Sequence, residues 1–169
     1  MNKFLAGWYL LYIRPRHEKK VHERLTEIKM TSFLPTRKVL RMWHDRKRFV
    51  DEPLFPSYVF IYLKSQENFY QGLGIDGVLY YVRSGKEVAR VSETIIDSIR
   101  LMASSGYDLD VSRERFEAGR QLVISEGVLA GLSCEVVKYQ GKDKVLLRVH
   151  LLRQNILLSM HPDHLLATT

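Results

Sequence analysis

The chain has 169 residues, of which 46% are apolar, and it carries 26 Lys and Arg against 19 Asp and Glu. That length suits one domain or two small ones, the apolar share is globular, and no apolar run approaches the ~20 residues that span a bilayer. A single cysteine, Cys134, excludes an internal disulfide framework and fits a reducing cytoplasm, where the protein is expected to act without membrane contact.

The excess charge is unevenly placed. Residues 1–104 hold 18 Lys and Arg against 11 Asp and Glu, whereas residues 105–169 hold 8 of each. This asymmetry points to two modules, the first facing a polyanion such as nucleic acid. A solvated basic surface accounts for the same charge equally well.

In chain order, Trp8 to Ile13 (WYLLYI) is an aromatic-rich run of strand length, ended by Arg14-Pro15. Val21, Leu25 and Ile28 then recur at helical spacing and predict an amphipathic helix from Glu18. Phe33 to Leu40 reads as extended, Arg41 to Arg48 as a hairpin tip, and Phe49-Val50 as the return. Pro53 and Pro56 lead into a strand over Tyr58 to Leu63, since proline belongs at a strand's start, edge or bulge. A short helix over Asn68 to Leu73, a strand over Val78 to Val82 and a turn at Ser84-Gly85-Lys86 follow. Ser92 caps a helix running through Met102, with Ile95, Ile96, Ile99 and Met102 on its buried face. The order β-α-β-β-α-β-α is that of a ferredoxin-like α+β sandwich built on a split βαβ unit.

Residues 105–115 are polar and aperiodic and read as a linker between a domain over 1–104 and a second over 116–169. In the second, glycines at 119, 127, 131 and 141 space short apolar runs, the pattern of a small β-barrel of four or five strands. The leucine-rich stretch Lys144 to Met160 would also suit a helix, but the glycine turns favour the barrel.

No phosphate-binding glycine loop and no dinucleotide fingerprint is present. Cys134 lies in an expected strand and reads as a small core residue. His161-Pro162-Asp163-His164 lacks the further ligands of a zinc site and reads as a polar turn. Catalysis, cofactor and metal are therefore not expected.

The run Phe116 to Leu132, strand, turn and strand with glycine at each corner, is similar to a KOW motif of SH3-like barrels. Trp8-Tyr9 in the first strand, Phe55-Pro56-Ser57-Tyr58-Val59-Phe60 and that module, in this order, resemble the NusG family of transcription elongation factors over nearly the whole chain. Ser57 stands where the family hallmark commonly has glycine. WYLLY, EPLFP and the divergent Ser133-Cys134 after Gly131-Leu132 are closest to the specialised, RfaH-like antiterminators of that family.

The resemblance implies an operon-specific elongation or antitermination factor, monomeric, whose first domain grips the clamp helices of the largest RNA polymerase subunit. The matching positions are Trp8, Tyr9, Tyr12, Phe55, Pro56 and Tyr58, with Tyr12, Phe55 and Tyr58 expected to face outward. Strand alternation must send some of these rings into the domain's own core. Arg14, Arg16, His17, Lys19, Lys20 and Arg24 fall where relatives touch the non-template DNA strand, and Arg14 or His17 could also read a base edge. Asp76 stands where RfaH-like proteins have a basic DNA contact, so a different DNA element is implied. The tip Arg41 to Arg48, with Trp43, is a candidate for base stacking or upstream DNA, or simply a solvated hairpin. The second domain would meet a small-subunit ribosomal protein or Rho. Glu52 and Lys144 match an interdomain ion pair of the RfaH closed state, in which the second domain is a helical hairpin. The rival reading is a KOW protein that binds the ribosome or RNA, which would place charge on the barrel.

Overall fold

The computed structural model describes residues 3–125 and 127–159. It divides into two compact units, Met1–Glu93 and Thr94–Thr169. The α+β class expected from the sequence is the class observed.

In the first unit, β1 (Gly7–Ile13) is followed by α1 (Glu18–Glu27), β2 (Thr31–Phe33), β3 (Thr36–Trp43), β4 (Arg46–Pro53) and β5 (Tyr58–Leu63). Then come α2 (Gln66–Leu73), β6 (Val78–Tyr81), β7 (Arg83–Ser84), β8 (Glu87–Val88) and β9 (Arg90–Val91). The main sheet runs β2-β5-β1-β6, with β9 also pairing on β1. β1 is thus central, hydrogen-bonded antiparallel to β5 with Tyr12 opposite Tyr58 and to β6 with Tyr12 opposite Tyr80. This is the strand order of the expected ferredoxin-like sandwich.

Alternation along β1 splits its side chains between two faces. Tyr9, Leu11 and Ile13 join Val59, Ile61, Leu63 and Tyr81 in a core closed by Val21 and Leu25 of α1. Trp8, Leu10 and Tyr12 take the opposite face. The helix ends sooner than its periodicity suggests: Ile28 is 47% exposed, and Met30 is buried in its place. Main-chain geometry causes this, because Lys29 turns to φ 62° and ends the helical run.

The hairpin β3–β4 forms a sheet of its own, closed at His44-Asp45. Its outer residues are exposed, Trp43 at 64% and Phe49 at 68%.

Helix α3 (Glu93–Ala103) falls almost wholly in the second unit; its Ile96, Ile99 and Met102 are buried as expected, while Ile95 is half-buried. Leu109–Ser112, inside the stretch read as a linker, is a strand, β10; β11 (Arg120–Val123), β12 (Ser133–Tyr139), β13 (Lys142–Val149) and β14 (Gln154–Leu158) complete an antiparallel sheet ordered β10-β14-β13-β12-β11. Polarity hid β10 because its alternate residues Asp110 and Ser112 leave only Leu109 and Val111 as apolar signal. The leucine-rich 144–158 region is strand in β13 and β14, so tertiary pairing outweighs leucine's helix propensity. The sequence 161–164 lies outside the described residues.

Candidate polymerase and nucleic-acid interface

The hallmark Phe55-Pro56-Ser57-Tyr58 is a tight turn. Tyr58 N–H donates to Phe55 O at 3.2 Å, and Ser57 sits at φ 72°. Proline at the second position and a left-handed residue at the third define a type II turn. That geometry explains why glycine suits position 57 and why serine there carries strain. The turn is locked to β1, whose Ile13 N–H donates to Ser57 O at 2.8 Å.

The structure divides the six expected polymerase contacts. Phe55 is turned inward, contrary to expectation: it is 1% exposed, with its ring 6.4 Å from that of Phe60. Just before the turn, the Leu54 N–H donates to Pro35 O at 2.8 Å. Tyr9 is 5% exposed and on the helix-covered face, its hydroxyl donating to Leu5 O. Trp8 is 6% exposed and packs edge-on against Tyr62 at 5.5 Å. Only Tyr12, Pro56 and Tyr58 reach the surface.

Tyr80, absent from the expected set, completes their surface. Its ring stacks on Tyr12 at 4.9 Å, and Tyr12 meets Tyr58 edge-on at 5.4 Å. One row of tyrosines therefore crosses three strands, β5, β1 and β6, with Tyr80 54% exposed at its open end. Little in the sequence signalled it, because burial along β6 does not alternate: Leu79 is 47% and Tyr80 54% exposed, beside Tyr81 at 3%.

Beside this row lies the basic loop. Arg14 N–H is held by Gly77 O at 2.8 Å, which places the Arg14 guanidinium next to Asp76. Asp76 pairs with Arg14 at 2.9 Å and lies 3.6 Å from Arg24. Two of the six expected DNA contacts are thus partly neutralised by the carboxylate. Lys19 donates to Asp51 O at 2.6 Å, and the His17 ring lies 3.1 Å from Pro15 O. Arg16 and Lys20 are exposed, Arg16 at φ 67°.

Glu18 went unnoticed in the sequence. It is 5% exposed and its Oε1 accepts from Ser57 N–H at 2.8 Å and Arg16 N–H at 3.3 Å. One carboxylate thus joins the tyrosine-bearing turn to the basic loop. His22, further along α1, has its pKa lowered by burial and lies 2.7 Å from Ser32 Oγ.

Glu52 and Lys144 each find a partner inside their own unit. Glu52 accepts from Arg41 Nε at 2.8 Å, and Lys144 donates to Ser159 Oγ. In the second unit, Glu135 takes Arg148 Nε at 2.6 Å and Gly119 N–H at 3.0 Å. Arg148, with the Gly119 N–H, holds that carboxyl below its usual range. Burial pushes the Cys134 thiol up to about 11, so it stays protonated and unreactive at neutral pH. Among the described residues no cluster of three or more His, Cys, Asp or Glu is placed to hold a metal, and no helix is long and apolar enough to cross a membrane.

A ring-lined sheet face beside a basic helix, followed by a second unit built mainly on an antiparallel sheet, is the architecture to be compared with known proteins. Residues 6–100, more than half of the chain, match the family described as "Transcription termination factor nusG", and the chain belongs to the NusG family. It is similar to the transcription termination/antitermination proteins NusG of Chlamydia trachomatis and Chlamydia muridarum, at 24% identity over 84% of this chain and 85% of each relative. Among solved structures it resembles that of Thermotoga maritima NusG, with a TM-score of 0.57, 18% identity and coverage of 95% of this chain and 96% of the other.

Proposed function

We propose that this NusG-family transcription factor grips the clamp helices of the largest RNA polymerase subunit and suppresses pausing or termination at particular operons. The observation that carries the proposal is the row of half-buried Tyr58 and Tyr12 and exposed Tyr80 on a sheet whose other face is core. Aromatic rings held by strand pairing lose little freedom on docking, and such rings are the usual anchors of protein interfaces. Trp8, Tyr9 and Phe55 act as packed support, Tyr9 from the core face behind the row, and Trp8 and Phe55 buried beside it. Binding that favours one polymerase conformation over another needs no chemistry.

The basic loop fits the non-template strand. Arg16 and Lys20 offer charge for phosphate, while the Arg14–Asp76 pair offers a donor beside an acceptor, a combination suited to a base edge. Selection of a DNA element by this pair is the basis for operon specificity. The second unit would recruit a ribosomal protein or Rho, and the protein would work in the cytoplasm as a monomer.

The test is capture of RNA polymerase by the tagged full chain. Tyr12→Ala with Tyr58→Ala should abolish capture, and Cys134→Ala should leave it intact. Full capture by the double variant would refute the assignment.

A further inference from the structure

We infer that the first unit carries a second ligand site, a nucleotide-binding cleft on the sheet face opposite the tyrosine row. The cleft has a volume of about 540 Å³, within the range of small-molecule sites. It opens between the chain's start, α2 and the small hairpin β7–β8.

Its rim is cationic. Lys3, Arg83, Lys86 and Arg90 line it, against one carboxylate, Glu87. Among the described residues none of these four cations forms an ion pair. The two arginines are nevertheless positioned by backbone carbonyls: Arg90 donates to Ala6 O at 2.9 Å, and Arg83 to Lys86 O at 3.1 Å. Gly7 makes room for the first of these, because a Cβ there would lie 2.8 Å from the Arg90 guanidinium. Most guanidinium donors stay available, in a geometry matched to phosphate oxygens. Placing four like charges around a single carboxylate costs stability, and a bound anion would lower that cost.

Its floor is aromatic. Phe4 stacks on Tyr9 at 6.1 Å, and Phe69 stacks on Tyr81 at 4.2 Å, with Phe4 and Phe69 only partly buried. Gln66 adds a neutral amide able to donate and accept. Phosphate binding alone would not need rings. Rings below cations suit a phosphate attached to a stacking base, and stacking tolerates any base. The shared chemistry is therefore a nucleotide, either a free nucleoside triphosphate or one residue of single-stranded RNA.

The experiment is amide chemical-shift titration of the full-length protein with ATP, with a mixed-sequence RNA hexamer, and with inorganic pyrophosphate as a base-free control. Saturable shifts at residues 3–9, 66–69 and 83–90 are expected, with pyrophosphate bound at least tenfold more weakly than the better base-bearing probe. Arg83→Glu with Lys86→Glu should weaken that probe tenfold or more, and Lys86→Glu alone by a smaller factor should the double variant unfold. Tighter binding of the hexamer assigns the site to RNA, and tighter binding of ATP to free nucleotide. Absence of saturation by either, shifts confined to residues 14–24, or affinity unchanged by the charge reversals would overturn the inference. Polymerase capture is read separately and should be unaffected by Lys86→Glu.

Discussion

Glu18 Oε1 accepts the backbone N–H of Ser57 at 2.8 Å, tying the first turn of α1 to the hallmark turn 39 residues later. The same oxygen takes Arg16 N–H at 3.3 Å. Both donors belong to residues at positive φ, Ser57 at 72° and Arg16 at 67°. Two strained backbone positions, one beside each half of the proposed interface, are thus held by a single buried side chain. Glu18→Ala should cost about 1–3 kcal/mol, the penalty for buried donors left without an acceptor. It should also weaken polymerase capture and DNA binding together, whereas Glu18→Gln, which keeps an acceptor oxygen, should retain both. Urea unfolding combined with the capture assay separates these outcomes.

Ser57 allows a stabilising substitution. A left-handed non-glycine residue costs about 1–2 kcal/mol, and glycine's added freedom in the unfolded chain takes back about 0.5–1 kcal/mol. Ser57→Gly should therefore gain up to about 1.5 kcal/mol, and Ser57→Val should lose more than about 1 kcal/mol because β-branching worsens the clash. Thermal unfolding of the three proteins checks the order Gly, Ser, Val.

Phe55 and Tyr12 should part company on mutation. Phe55, at 1% exposure, leaves a cavity when cut to alanine, and a loss of about 3–5 kcal/mol is expected. Tyr12→Ala removes a partly exposed ring and should cost about 1 kcal/mol or less of stability, yet lose polymerase capture. Equal stability losses at the two positions would contradict the assignment of Phe55 to support and Tyr12 to contact.

Asp76 tests the DNA proposal. Removing its charge releases Arg14 and Arg24 for phosphate. Asp76→Asn should tighten binding to single-stranded DNA and steepen the dependence of log affinity on log salt by about 0.7 for each phosphate newly engaged. It should also blunt discrimination between DNA sequences. Fluorescence anisotropy across a salt series gives both readings.

Two groups should show acid sensitivity in separate windows. His22 has its pKa lowered chiefly by burial, so the folded state prefers the neutral ring. The unfolded chain binds the proton first, and stability of the first unit should fall as pH drops below about 6.5. His22→Gln should flatten that slope. Glu135 has its pKa lowered by the Arg148 hydrogen bond, so its contribution is present above the ordinary value of 4.5 and is lost as pH falls below it. Arg148→Ala should cost about 3 kcal/mol, the low end for breaking a buried pair, because a quarter of the Arg148 side chain remains exposed. Urea midpoints at pH 7.5, 5.5 and 4 resolve the two.

Local pattern was enough for the elements that alternate strongly or carry hard punctuation. WYLLYI, the Tyr58–Leu63 strand and the helix from Glu18 were legible because a half-buried strand or helix must repeat its apolar residues at a fixed period. The early end of α1 at Glu27 and the strand Leu109–Ser112 were not, since the positive φ at Lys29 and a polar, alternating edge leave almost no compositional trace. Part of the candidate surface was legible in the same way: Tyr12 and Tyr58 reach the surface as expected. The inward turn of Phe55, the stacking of Tyr80 on Tyr12 and the bonds of Glu18 were out of reach, because each depends on a partner far along the chain.

By itself the amino-acid order determined the placement of excess charge in the first hundred or so residues and the rigid, proline-framed turn at 55–58, both of which follow from short-range propensity and composition. Tertiary structure alone decided which rings reach water. Strand register across β5, β1 and β6 sets the face of every side chain, and a shift by one residue would have buried Tyr12 and exposed Leu11.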